Sequence, residues 1–504
     1  MKRRRYHPEI LWRFRAKSAL IVTGLVLASP FACGLTSLEL FAVTSNPDSA
    51  PEENPRGADE TGRGEALGIP CDFKGFAELR TLVHAITEQE APDAVKKREL
   101  RLNFDVKYGP DDLYLRATGN VYGNAGLAAD SLDAEYAFAE NARVRRNLAV
   151  SDRSAEASFR ELYVNKSFGN IRLRAGNQIY GWGTADVFNP TSYFNPFDLR
   201  EALFRADDEL KAGVPSLSGM FFIGDATLEV VVVPVHIPML LAPVGNFWEI
   251  RYREGPFPVS IEEPGGLPAT FANAAAGARY AASVAGVDFA ASVYRGPDRE
   301  PVFRPMRTLI APNEPVTILV RPEYHSVTMA GVDFSLNFDR VVVQAEAVYS
   351  PDKAGVVGQV YTPQVRFPFE VRTGHFVSYS AGFNYFIPLG LLLEGHEGET
   401  VLTVEWNQSR YFDDGIMPPL ITDVLAVRLQ DEFLGGRMKT TFTLLWDAHT
   451  GAMVLWPSLG WDFLNGLSVE IAYVSISARS GTERSIFSFY NDNDIITARV
   501  RYAL

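Results

Sequence analysis

The strongest constraint on this fold is an alternation of apolar and polar side chains that recurs through most of the chain. In the segment RELRLNFDVKY, residues 98–108, Leu100 and Leu102 alternate with Arg101 and Asn103. A period of two residues places successive side chains on opposite faces of a strand. The pattern therefore predicts β-strands with one apolar face and one polar face.

The alternation recurs in segments of about ten residues, the length that a tilted strand needs to cross a bilayer. The predicted strands are residues 73–86, 98–108, 112–122, 155–167, 170–182, 215–223, 226–236, 276–285, 287–295, 325–337, 340–350, 375–387, 399–411, 422–434, 437–448, 451–463, 466–478 and 494–504. We therefore predict an all-β fold, a transmembrane antiparallel up-and-down barrel of about 16 to 18 strands. An even number of strands places the start of the first strand and the end of the last strand on the same side of the membrane.

The links between these segments alternate in length. Short links fall at residues 109–112, 168–170, 224–225, 286, 338–340, 435–437 and 465–466. Long polar links rich in Pro and Gly fall at residues 123–154, 183–213, 237–274, 296–324 and 351–373. Short periplasmic turns and long extracellular loops are typical of outer-membrane barrels.

Closure of the sheet into a barrel explains how the apolar face can lie outside and the polar face inside. In hydrocarbon a sheet cannot leave an edge, because each unpaired backbone group there costs several kcal/mol. Closure turns the apolar face to lipid and the polar face to a lumen that is too wide for side chains to fill. A large soluble β-sandwich or propeller is the alternative, and it also explains the alternation.

The last strand separates these alternatives. Ile496, Ala498, Val500, Tyr502 and the terminal Leu504 share one face. The final strand of outer-membrane barrels resembles this pattern and is read by the barrel-assembly machinery, although it more often ends in Phe. We therefore expect an assembly signal here, with that machinery and outer-membrane lipid as partners.

The N-terminus predicts secretion. Residues 1–17 are dense in Lys and Arg, and residues 18–29 are apolar and uncharged. A basic region followed by about 10 to 15 apolar residues is a secretory signal, and it is short for a membrane span. We place cleavage after Gly34. An uncleaved anchor and lipidation of Cys33 are the alternatives.

Three regions follow along the chain. We predict a signal peptide at residues 1–34, a disordered acidic linker at 35–72 and the barrel at 73–504. The linker is polar and rich in Pro and Gly, so it buries little apolar surface. The predicted location is the bacterial outer membrane.

The charge balance excludes one class of partner. The chain has 48 basic and 61 acidic residues, for a net charge of −13. A nucleic-acid-binding protein is expected to present a basic face, so no nucleic-acid partner is expected.

Several short segments carry a family pattern. They are residues 75–80 (GFAELR), 160–163 (RELY), 174–183 (RAGNQIYGWG), 188–190 (FNP) and 331–334 (GVDF). They resemble a family of porin-like outer-membrane proteins of unknown function, in which a strand ends in Gly-x-Gln-x-x-x-Trp-Gly before an Asn-Pro loop. The resemblance spans nearly all of residues 73–504. It implies an outer-membrane barrel and no defined substrate.

The candidate pore residues lie on the polar face and in the long link at residues 183–213. In that link, residues 197–211 have helix-like content, with Asp198 as a possible cap. The residues predicted to line or constrict the pore are Arg172, Arg174, Gln178, Tyr180, Trp182, Arg200, Arg205, Asp207, Asp208, Glu209, Glu346, Glu405, Arg499 and Arg501. The alternatives are a solvated external loop and, for Tyr180 and Trp182, interfacial aromatic positions.

Enzyme motifs do not occur in this sequence. It has no Gly-x-Ser-x-Gly, no phosphate-binding loop with Lys and no His-Glu-x-x-His. The seven histidines are scattered, and His84, His236 and His449 fall near strand ends. We expect no enzyme activity, no metal and no cofactor.

Three functions remain open from the sequence. The first is a porin-like channel for passive or weakly selective diffusion of small solutes. The second is a plugged barrel that acts in surface binding or adhesion through its long loops, and the third is a barrel lipid hydrolase. The solute, the ion selectivity and the oligomeric state are not determined by the sequence.

Overall fold

The computed structural model of the chain describes residues 62–66, 69–85, 95–124, 149–151, 155–203, 210–242, 247–250, 259–262, 264–308, 317–357, 370–391, 393, 396, 398–417, 419, 422–463, 465–478, 485–491 and 493–504. The signal peptide predicted at residues 1–34 lies outside the described residues. Apart from three short 3-10 segments, the described part of the chain contains no helix. Within these ranges, no helix is long and apolar enough to cross a membrane.

Eighteen strands form one closed antiparallel barrel. They are β1 (Ile69–His84), β2 (Val95–Tyr108), β3 (Leu113–Asn124), β4 (Ala155–Phe168), β5 (Ile171–Gln178), β6 (Val214–Ile223), β7 (Ala226–Val233), β8 (Ala275–Val284), β9 (Val287–Pro297), β10 (Ser326–Phe338), β11 (Val341–Val357), β12 (Glu370–Ile387), β13 (Thr400–Tyr411), β14 (Asp423–Phe433), β15 (Met438–Asp447), β16 (Met453–Asp462), β17 (Leu467–Ser477) and β18 (Ile495–Ala503).

Closure occurs between the first and last strands. β18 pairs antiparallel with β1 from Phe76↔Ala503 to His84↔Ile495. The Leu504 N–H extends this seam by donating to the Gly75 carbonyl oxygen at 2.9 Å. Neither strand is left as an open edge along this seam, which confirms the predicted barrel topology.

The predicted strands coincide with the observed ones in number and order, although many boundaries shift by one to several residues. β5 ends at Gln178 rather than at the predicted residue 182, so Tyr180 and Trp182 lie in the link that follows. β11 continues to Val357 and β12 begins at Glu370, within the link predicted at residues 351–373. A register shift between Ser350 and Lys353 lets these two strands stay paired beyond the bulge. β1 begins at Ile69, before the predicted residue 73.

A short strand also lies inside the predicted linker. Gly62–Ala66 pairs antiparallel with the start of β1, from Gly62↔Phe73 to Ala66↔Ile69. Ordered structure therefore begins earlier than the sequence predicted. The backbone pairing with β1 organises this polar segment although it has few apolar side chains to bury.

Most links separate by length, as predicted; the exceptions are the link 388–399, which is long and lies among the short turns, and the link 448–452, which is short and lies among the long loops. We call the end with the short turns the turn end and the opposite end the loop end. At the turn end, Ala285 and Gly286 connect β8 to β9 with φ values of 54° and 82°. Two successive positive φ values define the tight turn that suits the twist of antiparallel strands. The first residue of β1 and the last of β18 also lie toward this end.

The two faces of the barrel have the reverse of the polarity expected in a soluble barrel: the outer face is apolar and the inner face is polar. Leu100 is 45% exposed and Val332 is 57% exposed on the outer face, whereas Arg101 is 6% and Glu346 only 2% exposed on the inner face. Other outward apolar side chains that are exposed are Leu79, Val164, Leu173, Leu217, Val293 and Leu459. A soluble barrel would bury its apolar side chains, so this surface is built for an apolar surrounding.

Loops cover much of the inner wall at the loop end. Phe247 and Trp248, from the link between β7 and β8, pack with the 3-10 segment Ile486–Tyr490 that precedes β18. Both pack on an apolar inner wall formed by Leu82, Val424, Ala426, Leu445, Val454, Val474, Ile476 and Ile495. We call this the β14–β18 inner cluster. The apolar core of the molecule thus lies inside the barrel mouth.

A second cluster lies on the inner wall of β6 to β11. It joins aromatic side chains that follow β5 to wall side chains, and its members are Tyr180, Trp182, Tyr193, Phe194, Val214, Val231, Val233, Ala275, Tyr294, Val327, Met329 and Val348. We call this the β6–β11 inner cluster. The link after β5 therefore enters the lumen.

Candidate functional site

The candidate site is built around residues 179–203, which we call the inward loop. It leaves the end of β5 and is fixed at once to the neighbouring wall. The Trp182 Nε1–H donates to the Glu229 carboxylate on β7 at 2.7 Å, and the Tyr180 hydroxyl donates to Ser216 Oγ on β6 at 2.7 Å. Both side chains are buried inside the barrel, at 2% and 6% exposure, so they are not interfacial aromatics.

Asn195 closes the base of the loop. Its Oδ1 accepts from the Tyr180 backbone N–H at 2.7 Å, and its Nδ2 donates to the Gln178 carbonyl at 3.0 Å and the Ala212 carbonyl at 2.8 Å. Gln178 itself is buried at 2% exposure and donates to Ser216. Gln178 therefore has a structural position behind the loop.

Glu405 on β13 fixes the loop to the opposite wall. Its carboxylate accepts three successive backbone N–H groups, from Asp186 at 2.8 Å, Val187 at 3.0 Å and Phe188 at 2.7 Å. Successive N–H groups that converge in this way form a cradle for an anion. Glu405 is 3% exposed, so it is covered by the loop that it binds.

Glu346 on β11 makes a second anchor. It accepts from the Ala185 N–H at 3.3 Å, the Thr191 N–H at 3.4 Å and the Thr191 hydroxyl. Asn384 on β12 adds a bond from its Nδ2 to Asp186 Oδ2 at 2.7 Å. The loop thus starts at β5 and is held by β11, β12 and β13, which places it across the lumen.

Gly183 allows the loop to turn beside Glu346. Its φ is 97°, in the left-handed region that favours glycine. A Cβ at this position would collide with the side chains of Asn189, Thr191 and Glu346. The Trp-Gly pair of the sequence motif is therefore needed for the loop to reach its wall anchor.

For the described residues 197–203, the helix predicted near residues 197–211 is wrong. Asp198–Leu203 is an extended strand that pairs in parallel with Leu240–Leu241, and Asp198 does not cap a helix. Backbone bonds to other segments replace the helical ones, from the Leu240 N–H to the Phe197 carbonyl at 2.9 Å, for example. Contacts between distant segments override local propensity here.

The charged residues predicted in this loop fall into two groups. Arg200 forms ion pairs with Glu156 at 2.9 Å and Asp198 at 3.0 Å. The neighbouring Glu201 pairs with Arg80 on β1, so this part of the loop is also fixed to the wall. The predicted residues Arg205, Asp207, Asp208 and Glu209 lie outside the described residues.

Arg499 and Arg501 belong to the barrel seam. Arg501 pairs with Glu78 on β1 at 2.7 Å, and Arg101 on β2 pairs with the same carboxylate at 3.4 Å. Arg499 pairs with Glu470 on β17 at 3.4 Å. The Arg501–Glu78 pair crosses the junction between the last and first strands, and the other two pairs join each of these strands to its neighbour on the far side.

Arg172 and Arg174 on β5 face the lumen in the turn-end half. The Arg172 guanidinium lies 5.2 Å from the centre of the Phe222 ring, and that of Arg174 lies 5.2 Å from the Tyr163 ring. The Arg174 Nε–H donates to Asn165 Oδ1 at 3.3 Å. Both residues are half-buried and lie between the turns and the inward loop.

Residues 94–416 match the family model described as "Protein of unknown function (DUF1302)". The chain belongs to this family. The matched range includes the inward loop and its anchors on β11 and β13, so the site lies within the part of the chain that defines DUF1302 membership. No curated protein matches this sequence.

Several solved barrels are similar in fold to this DUF1302 member. Salmonella typhi OmpF in complex with daunomycin has 10% identity and a TM-score of 0.40, covering 87% of this chain and 98% of its own. Pseudomonas aeruginosa OccK2 in complex with glucuronate has 9% identity and a TM-score of 0.45, with coverages of 86% and 96%. Escherichia coli Wzi, described as a carbohydrate-binding β-barrel, has 10% identity and a TM-score of 0.42, with coverages of 85% and 83%.

Sequence reasoning missed the polar residues that hold the loop of this DUF1302 member. Asn195 and Thr191 were not predicted as site residues, and neither was Asn384. One signal was present, because Phe-Asn-Pro occurs twice in the loop, at residues 188–190 and again at 194–196. A repeated Asn before Pro indicates side chains that bind backbone groups at turns.

The histidines of this DUF1302 member are not gathered into a site in the described ranges. His84 packs edge-on against Phe247 at 5.2 Å, and His236 packs against Tyr324 at 4.3 Å. No group of three or more His, Cys, Asp or Glu in the described part of the chain is placed to hold a metal ion.

Proposed function

We propose that this barrel spans the bacterial outer membrane as a porin-like channel, through which small solutes diffuse passively or with weak selectivity. The observation that carries the proposal is a closed barrel of eighteen strands with apolar side chains outside and polar ones inside. An interior of this width is too large for side chains to fill, so water occupies the remaining space. The inward loop narrows that space.

Exposed aromatic residues support the membrane placement. On the outer face, Tyr385 lies near the turn end and Tyr349 lies eight register positions away on the adjacent strand. This separation is about 26 Å along a strand, or about 20 Å along the membrane normal at a tilt of about 40°. Further outward aromatics are Phe168, Phe338, Trp446, Trp461, Tyr473 and Tyr502. Two such rows are expected at the interfaces of an apolar band.

The last strand supports assembly in that membrane. Ile496, Ala498, Val500, Tyr502 and Leu504 all lie exposed on the outer side of the chain end. Their exposure leaves the predicted assembly signal accessible, and the strand also makes the closing seam.

Conductance in a planar lipid bilayer tests the channel. We expect discrete current steps that scale with salt concentration, because ions cross through water. Deletion of residues 184–191, which contact Glu346 and Glu405, is expected to raise the step size. Protein that folds as a heat-modifiable β-rich barrel but passes no current would contradict the channel, and an unchanged step in the deletion variant would contradict the constriction.

A plugged surface-binding barrel is the second candidate. It is favoured by the β14–β18 and β6–β11 inner clusters, in which loops cover the inner wall at the loop end. Absence of current from both the full chain and the deletion variant would favour this candidate. The long loops would then be tested for binding to surface glycans.

A further inference from the structure

We propose that Arg172 and Arg174 form a binding site for small organic carboxylates in the turn-end half of the lumen. The two residues are two positions apart on β5, so their side chains share a face with Cα atoms about 7 Å apart. They precede Gln178, where the strand ends and the inward loop begins. The consequence for transport, though not the binding itself, rests on the proposed channel.

Neither arginine is neutralised by the protein. No carboxylate in the described part of the chain forms an ion pair with Arg172 or Arg174, whose contacts are the aromatic and amide groups described above. Other lumen arginines differ, since Arg116 pairs with Asp105 at 2.9 Å and Arg279 pairs with Asp333 at 2.9 Å. Two uncompensated positive charges therefore face the same stretch of lumen.

The acidic residues that the structure describes in the lumen bind other groups of the protein and do not pair with these two arginines. Glu161, on the adjacent β4, accepts the Ile179 N–H at 3.1 Å. Glu229 accepts from Trp182, while Glu346 and Glu405 are covered by the inward loop. None of these four carboxylates forms an ion pair with Arg172 or Arg174, so a solute that contacts the two guanidinium groups meets positive charges that no protein carboxylate already holds.

The aromatic rings favour a carboxylate over a simple halide. Phe222 and Tyr163 support the guanidinium groups from one side, which limits their motion and leaves N–H groups free to donate. A guanidinium whose plane is held in this way can offer two parallel N–H donors to a carboxylate. The Arg172 group lies toward Phe222 on β6 and the Arg174 group toward Tyr163 on β4, so the two groups flank β5 and each can take one carboxylate.

The test replaces both arginines. Arg172→Gln/Arg174→Gln removes two charges from the lumen, whereas the control Arg340→Gln/Arg437→Gln removes two from exposed turns at the same end. Arg172→Lys/Arg174→Lys keeps the charge but loses the paired donors. Sodium succinate is the probe, and each variant is first shown to fold by heat modifiability.

Two readouts are used. The first is equilibrium binding of succinate to the detergent-purified full chain by titration calorimetry at low salt. The second is the succinate-to-sodium permeability ratio from the reversal potential at about 0.1 M salt. We expect the glutamine variant to lose binding and to lower the permeability ratio at least about threefold, since a passing ion within about 5 Å feels each charge. The turn control should match the unmodified chain, and the lysine variant should bind weakly.

The outcomes separate the two proposals. Current without succinate binding, and with an unchanged permeability ratio in the glutamine variant, would overturn the carboxylate site and leave the channel intact. Binding that is lost in the glutamine variant, in a protein that passes no current, would support the site and overturn the channel. Equal binding by the unmodified chain and the glutamine variant would overturn the site whatever the conductance.

Discussion

Glu405 is predicted to hold the inward loop, and Glu405→Gln tests this directly. The carboxylate accepts N–H groups at 2.8, 3.0 and 2.7 Å from Asp186, Val187 and Phe188. Hydrogen bonds to a charged group contribute about 1.5 to 3 kcal/mol each. The glutamine keeps one acceptor oxygen, loses the charge and turns an NH₂ group toward a donor.

We therefore expect the loop anchor to weaken by about 2 to 4 kcal/mol, because at least one bond is lost and the others lose their charge assistance. Since 1.4 kcal/mol corresponds to a factor of ten, the released state of the loop should become about 30- to 700-fold more populated. Its absolute population depends on the remaining anchors, which include Glu346 and the packing of Phe188 on the β14–β18 inner cluster.

Hydrogen–deuterium exchange of the amides at residues 186–188 is the assay. Their protection factors should fall by the same factor if exchange occurs from the released loop. Glu432→Gln is the matched control, because Glu432 is 42% exposed at its side chain and pairs with Lys439 at the turn end. Unchanged protection in Glu405→Gln, or an equal fall in both variants, would refute the carboxylate anchor.

Three further predictions concern the loop, pH and assembly. Trp182→Phe removes the indole N–H that binds Glu229 at 2.7 Å, so unfolding in denaturant should lose about 1 to 3 kcal/mol of stability, and an unchanged midpoint would contradict this. Burial lowers the pKa of His236 to about 4, below the usual value of about 6.5. The neutral ring accepts the Leu267 N–H, and its contribution to stability is fully present above pH 6.5. That contribution is lost as the pH falls toward 4. The Leu267 protection factor should follow that curve, and His236→Gln should flatten it. Tyr502→Ser should lower the fraction of chains that reach the heat-modifiable membrane form, while equal yields would argue against an assembly role for this residue.

The barrel was predictable because its signals are local. Alternation such as that of Leu100 and Arg101 directly specifies which side chain faces outward, since the side-chain period of a strand is two. The short turns, such as the one at Gly286, carry their own residue chemistry. Strand order then follows from sequence order, because each strand in an up-and-down barrel pairs with the next one.

The strand ends near Val357 and Glu370 and the segment at Asp198–Leu203 were not predictable in the same way. The strand ends at Val357 and Glu370 pair with each other beyond a bulge, which shifts the register and interrupts the alternation that a sequence shows. Asp198–Leu203 is defined by pairing with Leu240–Leu241 farther along the chain, and a single sequence carries no direct record of such pairing. Helix-like composition at residues 197–211 was therefore misleading. The backbone bonds there are satisfied by Leu210 and Leu240.

The sequence by itself determined the closed barrel, its apolar outer face and the polar lining of its lumen. It placed Glu346 and Glu405 on the inner face, but an inward carboxylate looks the same in a sequence whether water or protein satisfies it. Only the tertiary structure decided that these two groups bind the backbone of a loop that crosses the lumen, while Arg172 and Arg174 keep their charge uncompensated. The physical reason is that hydrogen-bond partners of buried polar groups are chosen by the folded chain as a whole.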